Sequence, residues 1–150
     1  MTAADPNNPL LAAALGYAEM GYAVFPCAPG EKVPLTPHGF KDATTDAEQL
    51  TAWWRQWPEA NVALATAGLV VLDVDGADNP YLADEPEQQL DLARAPAQRT
   101  PGGGRQFLFR QPEGTRWRCT TGKLAPRVDT RADGGYVVVP PSRRADGDYR

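Results

Sequence analysis

Apolar residues at helical spacing open the chain over residues 10–18, after Asn8 and Pro9, a pair that suits a helix N-terminus. Gly21 ends this predicted helix, and the apolar run 22–26 predicts a short buried strand. Thr45 begins a capping-box pattern that predicts a second helix, ended by Pro58. Its three tryptophans recur at helical spacing, which favours the core over base stacking. They are Trp53, Trp54 and Trp57.

Short apolar runs separated by glycine-containing turns predict two β-hairpins. The first joins Asn61–Ala65 to Leu69–Val74, and the second joins 128–130 to Tyr136–Val139. A further strand is predicted over 106–110, after a glycine-rich turn. The remaining segments predict one helix at 87–93 and a polar, basic loop over 111–125. This order of elements indicates an α+β domain with a mostly antiparallel sheet.

Length, charge and cysteine usage narrow the class of protein. The 150 residues fit one domain, and no apolar stretch approaches the ~20 residues of a membrane span. The polar N-terminus lacks the pattern of a secretion signal, and the two cysteines are far apart, so we expect a cytoplasmic protein with reduced thiols. Residues 1–96 carry four basic and fourteen acidic side chains, whereas 97–150 carry eleven basic and five acidic. This asymmetry fits a polyanionic ligand or a solvated basic surface equally well.

Asp73 and Asp75 follow the apolar run that begins at Leu69. Alternation along a strand puts both carboxylates on one face, where like charges repel unless a cation lies between them. Mg²⁺ and Mn²⁺ prefer such oxygen ligands and complete their shells with water and phosphate. The pattern therefore predicts a divalent metal site, and the alternative is two solvated acids that begin a turn.

Two further segments gain interest beside this acidic pair. Gly103 and Gly104 let the backbone approach an anion closely, and Arg105 adds positive charge next to them. Asp129 lies in a later predicted strand, followed by Arg131. A third carboxylate that faces the first two would complete a two-metal site for nucleotidyl transfer.

The order of these segments resembles the N-terminal primase–polymerase domain of bifunctional replication proteins, in the archaeo-eukaryotic primase superfamily. The resemblance runs from about residue 10 to residue 149, and its strength comes from the collinearity of many short segments. They are GYAVFP (21–26), KVP (32–34), GFKDATT (39–45), WW (53–54), NVALA (61–65), LDVD (72–75), TPGGG (100–104) and VDTRADGGY (128–136).

The resemblance implies a template-directed DNA or RNA synthesis domain that uses nucleoside triphosphates and Mg²⁺ or Mn²⁺. Asp73, Asp75 and Asp129 would be its catalytic, metal-binding carboxylates. The residues near the nucleotide phosphates would be Gly103, Gly104, Arg105, Gln106 and Arg131. The implied partners are a DNA template, single-stranded or primed, and a replicative helicase domain or protein. The implied fold is an RRM-like sheet unit joined to a second α/β unit.

Gln106 departs from the family pattern, which has a histidine there. Glutamine donates a hydrogen bond but never carries positive charge, so it would hold a triphosphate less well. His38, the only histidine, lies elsewhere. The chain also stops near the family's last core strand, which suggests a truncated C-terminus, and residues 1–9 are expected to be flexible. A domain that binds nucleotide or nucleic acid with little catalysis is therefore a second hypothesis.

A third hypothesis comes from another class of enzyme. The segment from Leu72 to Gly76 is also similar to the nucleophile motif of haloacid-dehalogenase-type phosphatases, in which Asp73 would be phosphorylated. That family expects Thr or Ser after the glycine, where this chain has Ala77, and it requires a parallel sheet. An Asp-x-Asp nucleotide-sugar transferase is a fourth hypothesis, based on the same local motif alone.

Overall fold

The computed structural model describes residues 5–76, 78–79, 96–111, 114 and 117–150. The chain forms two compact units: a first unit of Met1–Ala65 with Tyr136–Arg150, and a second unit of Thr66–Gly135. The helix predicted at 87–93 lies outside the described residues. The helices are α1 (Pro9–Glu19) and α2 (Ala47–Gln56), with a 3-10 turn at Gly39–Asp42. The strands are β1 (Val24–Cys27), β2 (Asn61–Ala65), β3 (Leu69–Val74), β4 (Ala97–Arg99), β5 (Arg105–Arg110), β6 (Thr120–Ala125), β7 (Val128–Arg131), β8 (Tyr136–Val139), β9 (Arg143–Arg144) and β10 (Gly147–Asp148).

The first unit is built on an antiparallel sheet in the order β1-β2-β8, with β9 and β10 as a separate two-stranded pair. All four residues of β1 are buried, as its uninterrupted apolar character predicts. The core around this sheet consists of Phe25, Cys27, Ala63, Val138 and Tyr149, with Trp53 and Phe40 packed against it.

The two predicted helices of the first unit are confirmed. The Asn8 side chain accepts a hydrogen bond from the Leu10 amide and caps α1. The N-cap of α2 is Asp46 rather than the predicted Thr45, because the extended Asp46 backbone lets its carboxylate accept from the Glu48 amide. Trp54 is almost fully buried and donates its indole N–H to the Ala60 carbonyl at 3.0 Å, which confirms its place in the core.

The second unit contains a five-stranded antiparallel sheet in the order β4-β5-β3-β7-β6. Its central strand, β3, pairs with β5 on one side and with β7 on the other. The segment 111–125, predicted as a loop, in part forms the edge strand β6. Thr120 of β6 lies opposite Thr130 of β7, and their hydroxyls hydrogen-bond at 2.7 Å.

Both predicted hairpins are wrong. Strand β2 pairs with β1 and β8, whereas β3 pairs with β5 and β7, so each predicted turn instead connects two different sheets. The two connections hydrogen-bond to each other. Thr66 donates its hydroxyl to the Ala132 carbonyl at 2.6 Å and its amide to the Gly135 carbonyl, and the Asp133 carboxylate accepts from the Gly68 amide. These bonds join the connection at 66–68 to the connection at 132–135. They take the place of the strand pairing that the two hairpins would have formed.

At the level of fold class, the prediction of an α+β protein with mostly antiparallel sheets is confirmed. No helix in the described part of the chain is long and apolar enough to cross a membrane.

The two cysteines lie in different environments, which predicts different reactivity. Cys27 is fully buried, and burial raises the pKa of its thiol to about 12, whereas Cys119 is exposed. Because the thiolate is the reactive form, we expect Cys27 to stay protonated and inert at pH 8. Titration with a chromogenic disulfide should release one equivalent rapidly from the native chain and the second only after denaturation. Cys119→Ser should abolish the rapid phase, and two rapid equivalents in the native chain would contradict the burial of Cys27.

Candidate active site

The side chains of the central strand β3 alternate between the two faces of the second unit's sheet, and we call the face that carries Asp73 the polar face. Val70, Leu72 and Val74 pack with Phe107 and Val128 in a buried cluster on one face. Because side chains alternate along a strand, Asp73 lies on the opposite face. Val71, two residues before Asp73, lies on this second face as well and is also buried.

A row of four polar side chains crosses four adjacent strands on that face. The strand register places Gln106 of β5 and Asp129 of β7 directly opposite Asp73, one on each side, and Gln98 of β4 opposite Gln106. We call these four residues the Gln–Asp row. Directly opposed residues of an antiparallel pair have Cβ atoms about 4.5–5.5 Å apart, so neighbours in the row are within side-chain reach.

Hydrogen bonds connect three members of the row, and the fourth, Asp129, bonds a backbone amide. Gln98 Nε2 donates to Gln106 Oε1 at 2.6 Å, and Gln106 Nε2 donates to Asp73 Oδ2 at 3.3 Å. Asp129 is half-buried, and its Oδ1 accepts from the Gly122 backbone amide at 3.0 Å. Gln98, Gln106 and Asp73 are all at least nine-tenths buried, so these bonds satisfy polar groups that have little access to water.

Asp75 lies just beyond the end of β3 and is exposed, unlike Asp73. Its backbone is held firmly: its amide donates to the Arg127 carbonyl at 2.9 Å, and its carbonyl accepts from the buried Asn79 side chain at 3.0 Å. Among the residues that the structure describes, no group of three or more His, Cys, Asp or Glu side chains is arranged to hold a metal ion. The structure therefore brings together Asp73 and Asp129, and the ligand set of Asp73, Asp75 and Asp129 stays a prediction.

The predicted glycine-rich turn closes the hairpin between β4 and β5. The Gly103 amide donates to the Thr100 carbonyl, the Thr100 amide donates to the Gly104 carbonyl, and Gly103 has a left-handed φ of 86°. Gly104 is buried against the end of β3. A Cβ atom on Gly104 would lie 2.6 Å from the Val74 carbonyl oxygen and 3.3 Å from the Asp75 Cα. The turn thus lies directly beside the predicted acidic segment.

The two predicted arginines lie on different faces of the sheet. Arg131 is two residues beyond Asp129 and opposite Val71, so alternation puts it on the face of the Gln–Asp row. Arg105 precedes Gln106 and lies opposite Val74, on the other face. There it faces Arg99 across the β4–β5 pair, and both arginines are exposed.

Sequence reasoning missed Gln98 and Asn79. Gln98 lies in a strand of only three residues, whose pairing with β5 has no local signature in the sequence. Asn79 bonds the Asp75 carbonyl and, at 3.3–3.4 Å, the carbonyls of Pro126 and Arg127, which are remote in the chain. The sequence did offer one indication of Asn79: asparagine commonly fixes turns by side-chain hydrogen bonds, and this one comes four residues after Asp75.

The fold and the site define an α+β protein with an acidic, amide-supported row on the polar face of an antiparallel sheet. Residues 14–150 match the family model described as bifunctional DNA primase/polymerase, N-terminal, and the chain belongs to this family. The resemblance described from the sequence is thereby confirmed. A search of curated proteins finds no match to the chain.

The phosphatase hypothesis is not supported by the sheet. It required a parallel sheet with Asp73 at the end of a central strand. Strand β3 is central, but both of its neighbours, β5 and β7, run antiparallel to it.

Proposed function

We propose that this chain catalyses metal-dependent nucleotidyl transfer, the template-directed synthesis of DNA or RNA from nucleoside triphosphates. Membership of the primase/polymerase family supports this class of reaction. The observation that carries the proposal is the position of Asp73 directly opposite Asp129 on the polar face of the sheet. A metal site requires these two carboxylates, 56 positions apart in the chain, to be neighbours, and the strand register makes them so.

The residues of the row fit a divalent cation. Like charges directly opposite each other in a sheet are destabilising, and a cation between Asp73 and Asp129 would remove that repulsion. Mg²⁺ and Mn²⁺ prefer carboxylate oxygens, which both residues supply. We propose that Asp73 and Asp129 hold Mg²⁺ or Mn²⁺, with the exposed Asp75 as a further ligand. When bound, such ions activate the attacking 3′-hydroxyl and stabilise the leaving pyrophosphate.

Other residues would orient the carboxylates and the nucleotide. Gln106 donates to Asp73 Oδ2, and the Gly122 amide donates to Asp129 Oδ1, so hydrogen bonds help to orient both carboxylates. Arg131, on the same face, is suited to pair with a phosphate of the nucleotide. Gly104 allows close backbone approach beside the acidic segment, while the Gly103 amide is already engaged with Thr100.

Residues 1–150 would form one catalytic domain, in which an RRM-like unit is joined to a second α/β unit, as the sequence resemblance implies. The partners are nucleoside triphosphates, single-stranded or primed DNA and a helicase domain or protein. The reaction would take place in the cytoplasm.

The test is incorporation of labelled nucleotides on a primed and an unprimed DNA template. We expect incorporation with Mg²⁺ or Mn²⁺, and none when EDTA removes the metal. Release of phosphate from a generic phosphate monoester should stay at background. Tight binding of nucleotide or DNA with no incorporation under any of these conditions would instead establish the binding-only hypothesis.

That second hypothesis has one specific observation in its favour. Gln106 is neutral, and its amide group already bonds Gln98 and Asp73, which limits its contribution to triphosphate binding. Gln106→His should therefore lower the KM for nucleoside triphosphate several-fold below pH about 6.5, where a histidine is ordinarily protonated.

The pH dependence of KM shows whether the positive charge of the histidine causes the lower KM of Gln106→His. The advantage of Gln106→His should disappear as the pH rises through that value and the imidazole loses its charge, whereas the wild-type chain has no titrating group at this position. Steady-state KM measured from pH 5.5 to 8 provides the check. An equal KM for both chains at low pH would argue against phosphate contact at position 106.

Arg99 and Arg105 offer a binding surface for the nucleic acid backbone. They lie directly opposite each other, both exposed, a like-charge arrangement that favours an anion between them. We expect Arg99→Ala/Arg105→Ala to weaken binding of single-stranded DNA. Loss of two phosphate contacts should reduce the slope of log K against log salt by about 1.4.

A fluorescence titration at several salt concentrations measures this slope. The control is Arg143→Ala, which removes an exposed arginine of the first unit that bonds Asp148 at 2.8 Å. It should leave the salt slope unchanged. A double variant with the wild-type slope would exclude Arg99 and Arg105 as phosphate contacts.

A further inference from the structure

Gln98 lies at the end of the Gln–Asp row, on β4, where it is about as well buried as the residues beside it. Its exposure is 7%, compared with 5% for Gln106 and 9% for Asp73. It is separated from Asp73 by strand β5, whose Gln106 lies between the two. A 2.6 Å bond joins Gln98 Nε2 to Gln106 Oε1.

This bond and the bond to Asp73 select the same orientation of the Gln106 amide group. One end of an amide side chain only donates hydrogen bonds, and the other end only accepts them. Because Gln98 presents its NH₂ group, Gln106 turns its oxygen toward Gln98 and its NH₂ group toward Asp73 Oδ2. The reverse orientation would oppose two NH₂ groups on one side and two oxygens on the other, and both contacts are repulsive.

We propose that Gln98 is a positioning residue for the site: it fixes the Gln106 amide so that Gln106 donates to Asp73 and orients this carboxylate for a cation. The part concerning the cation rests on the proposed function. Hydrogen-bond partners of metal-ligating groups orient them, and their loss typically costs 10–100-fold in metal affinity or activity. The orientation of the Gln106 amide rests on the contacts alone.

A double-mutant cycle tests whether Gln98 acts through Gln106. Methionine is unbranched like glutamine and similar in length, and it lacks the amide. The variants are Gln98→Met, Gln106→Met and the pair, with Gln56→Met, an exposed glutamine of α2, as the matched control. The first readout is Mn²⁺ affinity, from the electron paramagnetic resonance signal of the free ion. We expect Gln98→Met to weaken Mn²⁺ binding about tenfold, and to have little further effect when Gln106 is already methionine.

The second readout needs no metal. The side-chain amide signals of ¹⁵N-labelled glutamine report the environment of Gln106, and Gln106→Met assigns them by their disappearance. In the Gln98→Met chain we expect these signals to shift and their protons to exchange faster with water, since one of the two bonds that hold the Gln106 amide is gone. Gln56→Met should leave both readouts unchanged.

The outcomes distinguish the orientation of Gln106 by Gln98 from its effect on cation binding. An unchanged Gln106 amide signal in Gln98→Met overturns it, as does an equal loss of Mn²⁺ affinity in both backgrounds of the cycle. A shifted signal together with a non-additive cycle supports it. If the wild-type chain binds no Mn²⁺ while the amide signal still shifts, the proposed function fails, and the control of Gln106 by Gln98 stands.

Discussion

Asp73→Asn and Asp129→Asn should each lower the rate of nucleotide incorporation by more than about a hundredfold, the upper end of the loss expected for a mere supporting partner of a metal ligand. Asparagine keeps the shape of aspartate and an oxygen that can still accept from Gln106 or from the Gly122 amide. The substitution therefore removes the charge and one metal-binding oxygen and leaves the hydrogen-bonded frame in place. Single-turnover incorporation under saturating nucleotide measures the loss.

The same two substitutions should not lower the stability of the metal-free chain, although they lower the rate of incorporation. Because Asp73 and Asp129 lie directly opposite each other, each wild-type carboxylate repels its neighbour when no cation is bound. Removing one charge should leave the metal-free free energy of unfolding unchanged or raise it by roughly 0.2–1 kcal/mol, the usual range for cross-strand pairs. Mn²⁺ should raise the melting temperature of the wild-type chain and have little effect on either variant.

Asp78→Asn is the matched control for these two variants. Asp78 is an exposed carboxylate near Asp75 and forms a 3.8 Å ion pair with Arg127. Its substitution removes the same charge without touching the row, so incorporation and the effect of Mn²⁺ should both persist. Incorporation by Asp73→Asn at the wild-type rate would contradict nucleotidyl transfer at this sheet face. Asp75→Asn, tested beside them, measures how much the exposed carboxylate adds.

The acidic site was partly predictable because strand alternation is a local property. The apolar run that predicts β3 is visible in the sequence, and alternation along a strand then puts Asp73 and Asp75 on one face. The neighbours of β3 were not predictable in this way. The hairpin interpretation put β2 beside β3 and β8 beside β7, and it left the pairing of β3 with β7 undetermined. Only the family resemblance predicted that Asp129 belongs to the site.

The errors have a common physical origin. A short apolar run and a glycine turn look the same whether the chain folds back on itself or continues into another sheet. The difference is decided by remote bonds such as that from the Thr66 hydroxyl to the Ala132 carbonyl. Helices α1 and α2 escaped this problem, because their caps and periodicity depend on residues within one or two turns. Gln98 was missed for the same reason as the strand pairing, since its role depends on a register between β4 and β5.

Three adjacent glycines should respond differently to alanine, although the sequence gives them no distinguishing mark. A Cβ on Gly104 would lie 2.6 Å from the Val74 carbonyl oxygen and 3.1 Å from the Thr100 hydroxyl. The first of these neighbours is backbone at the end of β3, which cannot move without breaking the pairing of β3 with β5. Gly104→Ala should therefore cost roughly 1–3 kcal/mol in the free energy of unfolding, as overpacking of a close-packed site does.

The same substitution should also reduce incorporation, because Gln106 is two residues from Gly104 and Asp73 is next to Val74. Gly102→Ala is the matched control: a Cβ there meets no atom within 4 Å, so stability should be unchanged or slightly higher. Gly103→Ala should lie between the two, with a cost of about 1–2 kcal/mol from the left-handed φ of 86°. Denaturant unfolding and single-turnover incorporation of the three variants give the comparison. If Gly104→Ala matched Gly102→Ala in both measurements, the glycine turn could not be packed against the end of β3, and its place beside the acidic segment would be lost.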